Sequence, residues 1–229
     1  MIMLRLFRGV IAANFLCSGF LFASAPDGSG LQGWWVTTAN SSSFNPNSGY
    51  WNFAAGQYYY YFFPDGRVCR GLPVKGQTME NLDYARSLQQ NPYSCGTYAL
   101  SGNRITFHWR GSAVVPVPFA RSRGAMTIAG DAYYPIAPAN NLRLEGAFHN
   151  ASRINTGRIA PTMAAQPRLT FGANGRFQGA NLAGTYQISG YSILLAYSNG
   201  GRERLSFYRY PGQENTTIVI DGSVYVRER

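Results

Sequence analysis

The chain has 229 residues and a formal net charge of +10, with 20 basic against 10 acidic residues. Such a balance can indicate a nucleic-acid or acidic-polysaccharide partner. The arginines are scattered through both halves without a run of four, so we expect no nucleic-acid partner. Attraction of this basic protein to an anionic surface or glycan stays open, and it would weaken with salt.

Residues 1–25 have the layout of a secretory signal peptide: two arginines near the start, an apolar run over 10–22, and small residues at Ala23 and Ala25. The apolar run is shorter than the roughly 20 residues of a membrane-spanning helix. Cys17 leaves a lipoprotein as an alternative, although the residues before it fit that pattern poorly. We therefore expect a secreted or periplasmic protein with no membrane span after the signal is removed.

Aromatic residues are concentrated in the first half of the chain. LQGWW occupies 31–35, and a run of six aromatic residues, YYYYFF, occupies 58–63. In one strand, alternate residues point to opposite faces, so half of this run can fill a core while the other half covers something else. The second half of the chain or the loop at 40–50 could provide that cover, or the rings could form an exposed platform for a sugar, a lipid or a protein.

Two cysteines remain after signal removal, and we predict a disulfide between Cys69 and Cys95. His108 and His149 have no ligand-like spacing to the cysteines or to each other, so we expect neither a metal site nor a cofactor. Between the cysteines, helical spacing over 78–91 predicts one short surface helix, with Thr78 as its cap.

A hairpin pattern occurs twice. CGTYALSGNRITFHW at 95–109 and AGTYQISGYSILLAY at 183–197 both place an alternating strand on each side of a glycine turn. Further segments match in the same order, which indicates an internal repeat. The matching pairs are 31–35 with 144–148, 61–68 with 169–177, and 126–134 with 218–226.

Short strands and regular turns run through both copies, which predicts an all-β protein of two tandem antiparallel up-and-down barrels or barrel-like sandwiches. We assign residues 26–140 to the first repeat and 141–229 to the second. The pattern Gly33-x-Trp35, together with the duplicated GTYxxxG and (I/V)xIxGxxY, the latter with Met126 at its first position in the first copy, resembles the lipocalin-like (calycin-type) domains of secreted bacterial proteins. The resemblance implies eight-stranded barrels that carry small ligands or serve as binding modules.

We expect no catalytic residues, because the sequence has no recognisable nucleophile elbow, phosphate loop or metal motif. The preferred hypothesis is a non-catalytic binding module for a small apolar or glycan-like ligand or an envelope component. One alternative is an inhibitor of a secreted hydrolase, and another is a hydrolase of unrecognised type that uses His108. The aromatic density of the first copy predicts ligand contacts at Trp35, Trp51, Tyr59, Tyr61 and Trp109.

Overall fold

A computed structural model describes residues 31–45, 50–151 and 166–229, and for the parts of 39–56 within these ranges it describes the backbone alone. The predicted signal peptide at 1–25 lies outside the described residues. One helix and sixteen strands occupy the described ranges: β1 Gly33–Asn45, β2 Tyr50–Phe62, β3 Arg67–Arg70, α1 Tyr84–Gln90, β4 Cys95–Ser101, β5 Arg104–Trp109, β6 Pro116–Ser122, β7 Ala125–Ile128, β8 Asp131–Pro135, β9 Gly146–Asn150, β10 Arg168–Phe171, β11 Arg176–Gly179, β12 Ala183–Ser189, β13 Ser192–Tyr197, β14 Arg202–Arg209, β15 Thr217–Ile220 and β16 Ser223–Arg227.

The strands form two closed antiparallel barrels of eight strands each. In the first barrel, β1 to β8 follow one another in chain order, and β1 closes the ring by pairing with β8. In the second barrel, β9 to β16 repeat this order, and β16 pairs with β9. The prediction of an all-β protein with two tandem barrels and one short helix is confirmed. No helix in the described ranges is long and apolar enough to cross a membrane.

The two copies of the G-T-Y hairpin have the same register. Tyr98 lies opposite Phe107 in β4 and β5, and Tyr186 lies opposite Leu195 in β12 and β13. The copies also agree in backbone conformation, because the glycine that opens each barrel has a left-handed φ, 109° at Gly33 and 104° at Gly146. The internal repeat inferred from the sequence is therefore present as two barrels.

The hairpin geometry that the two copies share explains why the first residue of G-T-Y is glycine. A Cβ atom added to Gly96 would lie 2.3 Å from the carbonyl oxygen of His108, and one added to Gly184 would lie 2.1 Å from that of Ala196. Real Cβ atoms do not approach backbone atoms so closely. The neighbouring strand of the hairpin can therefore lie this close only if the position is glycine. The motif is thus a packing requirement of the barrel wall in both copies.

Each barrel has a core of inward-facing side chains. In the first barrel, every second residue along a strand points into the interior. The fully buried side chains there include Phe62, Val68, Ile105 and Met126. The second barrel is filled in the same way by smaller apolar side chains and by Phe171, Phe177 and Phe207. An eight-stranded barrel has an interior just wide enough for side chains to fill, and both barrels follow this rule.

The disulfide between Cys69 and Cys95 is present. The two cysteines lie directly opposite each other on β3 and β4, and both are buried. They join the two ends of the long connection that contains α1. The second copy has only residues 180–182 at the equivalent point between β11 and β12.

The helix is shorter than the sequence predicts. It begins after Asp83, whose carboxylate accepts a hydrogen bond from the Arg86 amide at 3.0 Å, and not after Thr78. The Thr78 amide and hydroxyl donate instead to the Asn81 side chain at 2.6 and 2.9 Å. Residues 78–81 therefore form a separate turn, because Asn81 competes for the groups that would otherwise begin a helix.

A third apolar cluster joins the two barrels. From the first barrel it contains the outward faces of β1 and β2, with Trp34 and Tyr59, and from the second barrel those of β14 and β15, with Tyr208 and Val219. The Tyr59 and Tyr208 hydroxyls lie 3.0 Å apart across the contact, and the Trp34 indole donates to the Met79 carbonyl at 2.9 Å. Within the described side chains, parts of two strands in each barrel are thus buried on both faces.

Polar contacts reinforce this junction along its length. The Met79 amide donates to the Ser206 hydroxyl at 3.0 Å, and the Tyr191 amide donates to the Glu80 carboxylate. Burial raises the pKa of Tyr208 well above its ordinary value, so its hydroxyl stays protonated and able to donate. The two barrels therefore pack against each other as one body and are not connected by the chain alone.

Candidate ligand-binding site

The structure describes four of the five side chains predicted to contact a ligand, and these four lie in three different places. Trp35 lies in the core of the first barrel and donates from its indole to the Leu31 carbonyl at 2.8 Å. Tyr59 is buried between the barrels, and Tyr61 packs at the edge of the same contact. Trp109 is half-buried at one end of the first barrel. The side chain of Trp51 lies outside the described side chains, so the structure does not test that residue.

Strand parity explains this distribution. Tyr60 and Phe62 point into the first barrel, where both contact its core, and Tyr59 and Tyr61 point outward to the second barrel. The second copy therefore covers Tyr59 and Tyr61, which is one of the alternatives that the sequence leaves open, whereas the outward-facing Phe63 packs against Tyr84 of α1. This geometry makes Tyr60, and not its neighbours, the tyrosine at the mouth of the barrel.

A stack of three aromatic rings lies at that mouth. The Phe107 ring is 5.3 Å from both Tyr60 and Trp109 between centroids, and the planes lie within 16° of parallel. The guanidinium of Arg70 lies 4.8 Å from the centroid of Trp109, a cation–π distance. Tyr133 closes the other side, with its ring 5.2 Å from that of Tyr60. We call these five side chains the mouth cluster.

A groove of about 420 Å³ opens beside the mouth cluster. Tyr58 and Tyr93 form its outer walls and are 49% and 57% exposed, and Tyr60 and Tyr133 form its floor. Tyr59, which the sequence predicts as a ligand contact, also lines the groove. Its polar groups come from Gln57, Arg70, Asn91 and Ser94. Tyrosine rings with amide, hydroxyl and guanidinium groups can stack on a ring and hydrogen-bond its substituents at the same time.

Burial favours the neutral, protonated form of the two tyrosines at the floor of the groove. It raises the pKa of Tyr60, with Asp131 acting in the same direction and Arg70 against it. Burial also raises the pKa of Tyr133. Near neutral pH both phenols therefore remain protonated, and they can donate as well as accept hydrogen bonds.

A second cleft, of about 370 Å³, lies on the outer wall beneath α1. Tyr84 and Leu88 of the helix form one side, and His108 and Arg110 lie on the other. His108 is exposed on the outer face of β5, opposite Thr97. Across the described ranges, no group of three His, Cys, Asp or Glu side chains could hold a metal ion.

The mouth of the second barrel has different chemistry. When Gly66-Arg67 is aligned with Gly175-Arg176, the positions that match Tyr60 and Arg70 are Leu169 and Gly179, and each pair lies opposite in its barrel. Gln166 is buried there, and its side-chain oxygen accepts from the Ala180 amide at 3.2 Å. A Cβ atom added to Gly179 would lie 3.1 Å from the same oxygen. The second mouth is therefore filled by its own chain, whereas the first has an aromatic groove with a cation.

Sequence reasoning did not identify Tyr58, Tyr60, Arg70, Tyr93 and Tyr133 as site residues. A usable signal existed for two of them, because the repeat alignment places leucine and glycine where the first copy has Tyr60 and Arg70. Comparison of this chain with protein-family models, curated proteins and solved structures gives no match.

Proposed function

We propose that the protein is a non-catalytic binding module, secreted or periplasmic, whose first barrel binds a small glycan-like ligand in the groove at its mouth. The observation that supports this proposal most directly is the groove itself, which five tyrosines and four polar side chains line beside a stacked tryptophan. The disulfide supports an oxidising compartment, because such bonds persist there.

A sugar suits this groove better than a purely apolar ligand. Its volume of about 420 Å³ falls in the range of small-ligand sites. The wall tyrosines present ring faces, and Asn91 and Ser94 present groups that can bind hydroxyls. The Asn91 side-chain oxygen also accepts from the Tyr93 amide at 3.1 Å, and the Ser94 hydroxyl donates to the Asn91 carbonyl at 2.8 Å. An apolar molecule would displace water from the exposed Arg70 guanidinium without replacing its hydrogen bonds, and that loss costs affinity.

The barrels share their consecutive up-and-down strand order with lipocalins. We propose that they are lipocalin-like in descent but differ in use. Lipocalins hold a ligand inside the barrel, and here the first interior is filled by the core around Phe62 and Met126. Binding at the rim is consistent with a packed interior, and the second barrel then serves as a support.

The test is a glycan-binding screen with two groove variants and a matched control. We expect Tyr93→Ala and Tyr60→Leu each to weaken binding to any glycan that the unmodified protein binds. A lost aromatic contact of about 0.5–1.5 kcal/mol corresponds to about two- to tenfold in Kd. Tyr134→Ala is the control, because Tyr134 is 47% exposed yet does not line the groove.

Tryptophan fluorescence gives the second readout. All four tryptophans lie in the first copy, and Trp109 contacts the rings of the groove. A ligand in the groove should therefore change the emission of the unmodified protein. If a broad panel of neutral and acidic oligosaccharides gives no binding at millimolar concentration, or if the groove variants bind like the control, the proposal is wrong.

A further inference from the structure

We infer that the ligand of the groove is an anionic sugar and that Arg70 binds its carboxylate. The inference rests on the proposed function and adds the chemical class of the ligand. It starts from the position of Arg70, the last residue of β3, directly opposite Tyr60. Because of this register, an exposed cation lies between the barrel mouth and the groove.

Two contacts hold the Arg70 side chain in place, and neither involves an anion. Its Nε donates to the Tyr93 carbonyl at 3.1 Å, and its guanidinium stacks over Trp109 at 4.8 Å. Neither contact neutralises the cation. Because this arginine is already ordered before the ligand binds, binding costs less side-chain conformational entropy than it would with a mobile arginine.

Within the part of the chain that the structure describes, no carboxylate forms an ion pair with Arg70. Other arginines are paired: Arg67 with Asp65 at 2.7 Å, and Arg168 with Glu228 at 2.6 Å. The nearby carboxylate of Asp131 forms no ion pair with Arg70 and does not line the groove. The Arg70 cation is therefore available to an external anion, which completes the site.

The planar guanidinium favours a planar, bidentate acceptor such as a carboxylate. The flanking tyrosines add ring faces that a free carboxylate would not use. A sugar acid combines both features in one molecule, and the excess of basic over acidic residues would attract such a ligand toward the protein. A neutral sugar has no anionic group that could pair with the Arg70 guanidinium.

The experiment compares matched probes. Uronic-acid oligosaccharides (galacturonate, glucuronate and mannuronate) are titrated beside their methyl esters, which keep the rings and remove the charge. We expect the acids to bind at least tenfold more tightly than the esters, since a charge-assisted hydrogen bond contributes about 1.5–3 kcal/mol. Raising the salt from 0.05 to 0.5 M should reduce the preference for the acid and leave ester binding unchanged.

Arg70→Gln should reduce the ratio of acid to ester affinity to about one, with ester binding within twofold of the unmodified protein. Arg70→Lys should retain part of the preference, because it keeps the charge and loses the planar fork. Arg121→Gln is the control for the net-charge change, since Arg121 is exposed on β6 and does not line the groove. Thermal melts followed by circular dichroism check that each variant is folded.

Three failing outcomes are distinguishable. If esters and acids bind equally and Arg70→Gln changes neither, the assignment of an anionic sugar is wrong while the glycan-binding proposal stands. If sulfated or phosphorylated sugars bind better than every uronate, the carboxylate assignment is wrong. If no sugar of either charge binds, the proposed function fails together with the inference.

Discussion

Replacing Tyr208 with alanine should destabilise the first barrel, although Tyr208 belongs to the second. The side chain projects outward from β14, is only 1% exposed, and lies edge-on to Tyr59 at 6.2 Å between ring centroids. Its hydroxyl also donates to the Gln57 side chain at 3.2 Å. Truncation would therefore leave a cavity in the contact between the barrels and remove two of its hydrogen bonds.

The expected loss follows from burial. Truncating a fully buried aromatic side chain to alanine costs about 3–5 kcal/mol in free energy of unfolding. For a chain of 229 residues, each kcal/mol lowers Tm by about 2–4 °C, so the variant should melt about 6–20 °C lower. Tyr208→Phe keeps the ring and loses only the hydroxyl, for which we expect about 0.5–1.5 kcal/mol.

The assay uses the distribution of tryptophan. All four tryptophans lie in the first copy, so fluorescence follows unfolding of the first barrel, and far-ultraviolet circular dichroism follows both. If the barrels unfold as one body, both signals should shift together in Tyr208→Ala. Tyr134→Ala removes an exposed tyrosine and should stay within about 0.5 kcal/mol. An unchanged fluorescence midpoint beside a shifted dichroism transition would refute the coupling.

Three further predictions test the fold. Burial raises the pKa of Tyr59 and of Tyr208, so the folded state keeps protons that the unfolded state loses above about pH 10. Stability should be unaffected by these groups below pH 10 and should fall above it, by up to about 1.4 kcal/mol per pH unit for each tyrosine, in urea titrations; a flat profile from pH 9 to 11 would contradict this. Replacing Cys69 and Cys95 together with alanine should lower the free energy of unfolding by about 3 kcal/mol, because the bond closes a loop with a sequence separation of 26, and a loss below 1 kcal/mol would argue against the loop-closure account. Gly184→Ala should cost about 1–3 kcal/mol in denaturant unfolding, since the new Cβ meets a backbone oxygen at 2.1 Å, and a neutral result would show that β13 can move away.

Local patterns in the sequence were sufficient to predict the hairpins and the disulfide. The glycine turns of 95–109 and 183–197 fix two strands each, because alternation and turn chemistry act over a few residues. The pairing of Cys69 with Cys95 followed from there being only two cysteines after residue 25. The start of α1 was predicted wrongly, because the Asn81 side chain binds Thr78, and capping propensity alone does not reveal that competition.

The sequence by itself determined that one meander of strands is repeated and that the aromatic run has two faces. Only the tertiary structure decided which face is inside. Alternation makes Tyr58, Tyr60 and Phe62 equivalent to one another, but their environment depends on barrel closure and on the second barrel, which covers Tyr59. Those contacts join residues about 150 positions apart, as Tyr59 and Tyr208 are, and no local period encodes them. The groove at Arg70 exists because β3 ends at the rim of a closed barrel, a position that is set by the register of eight strands together.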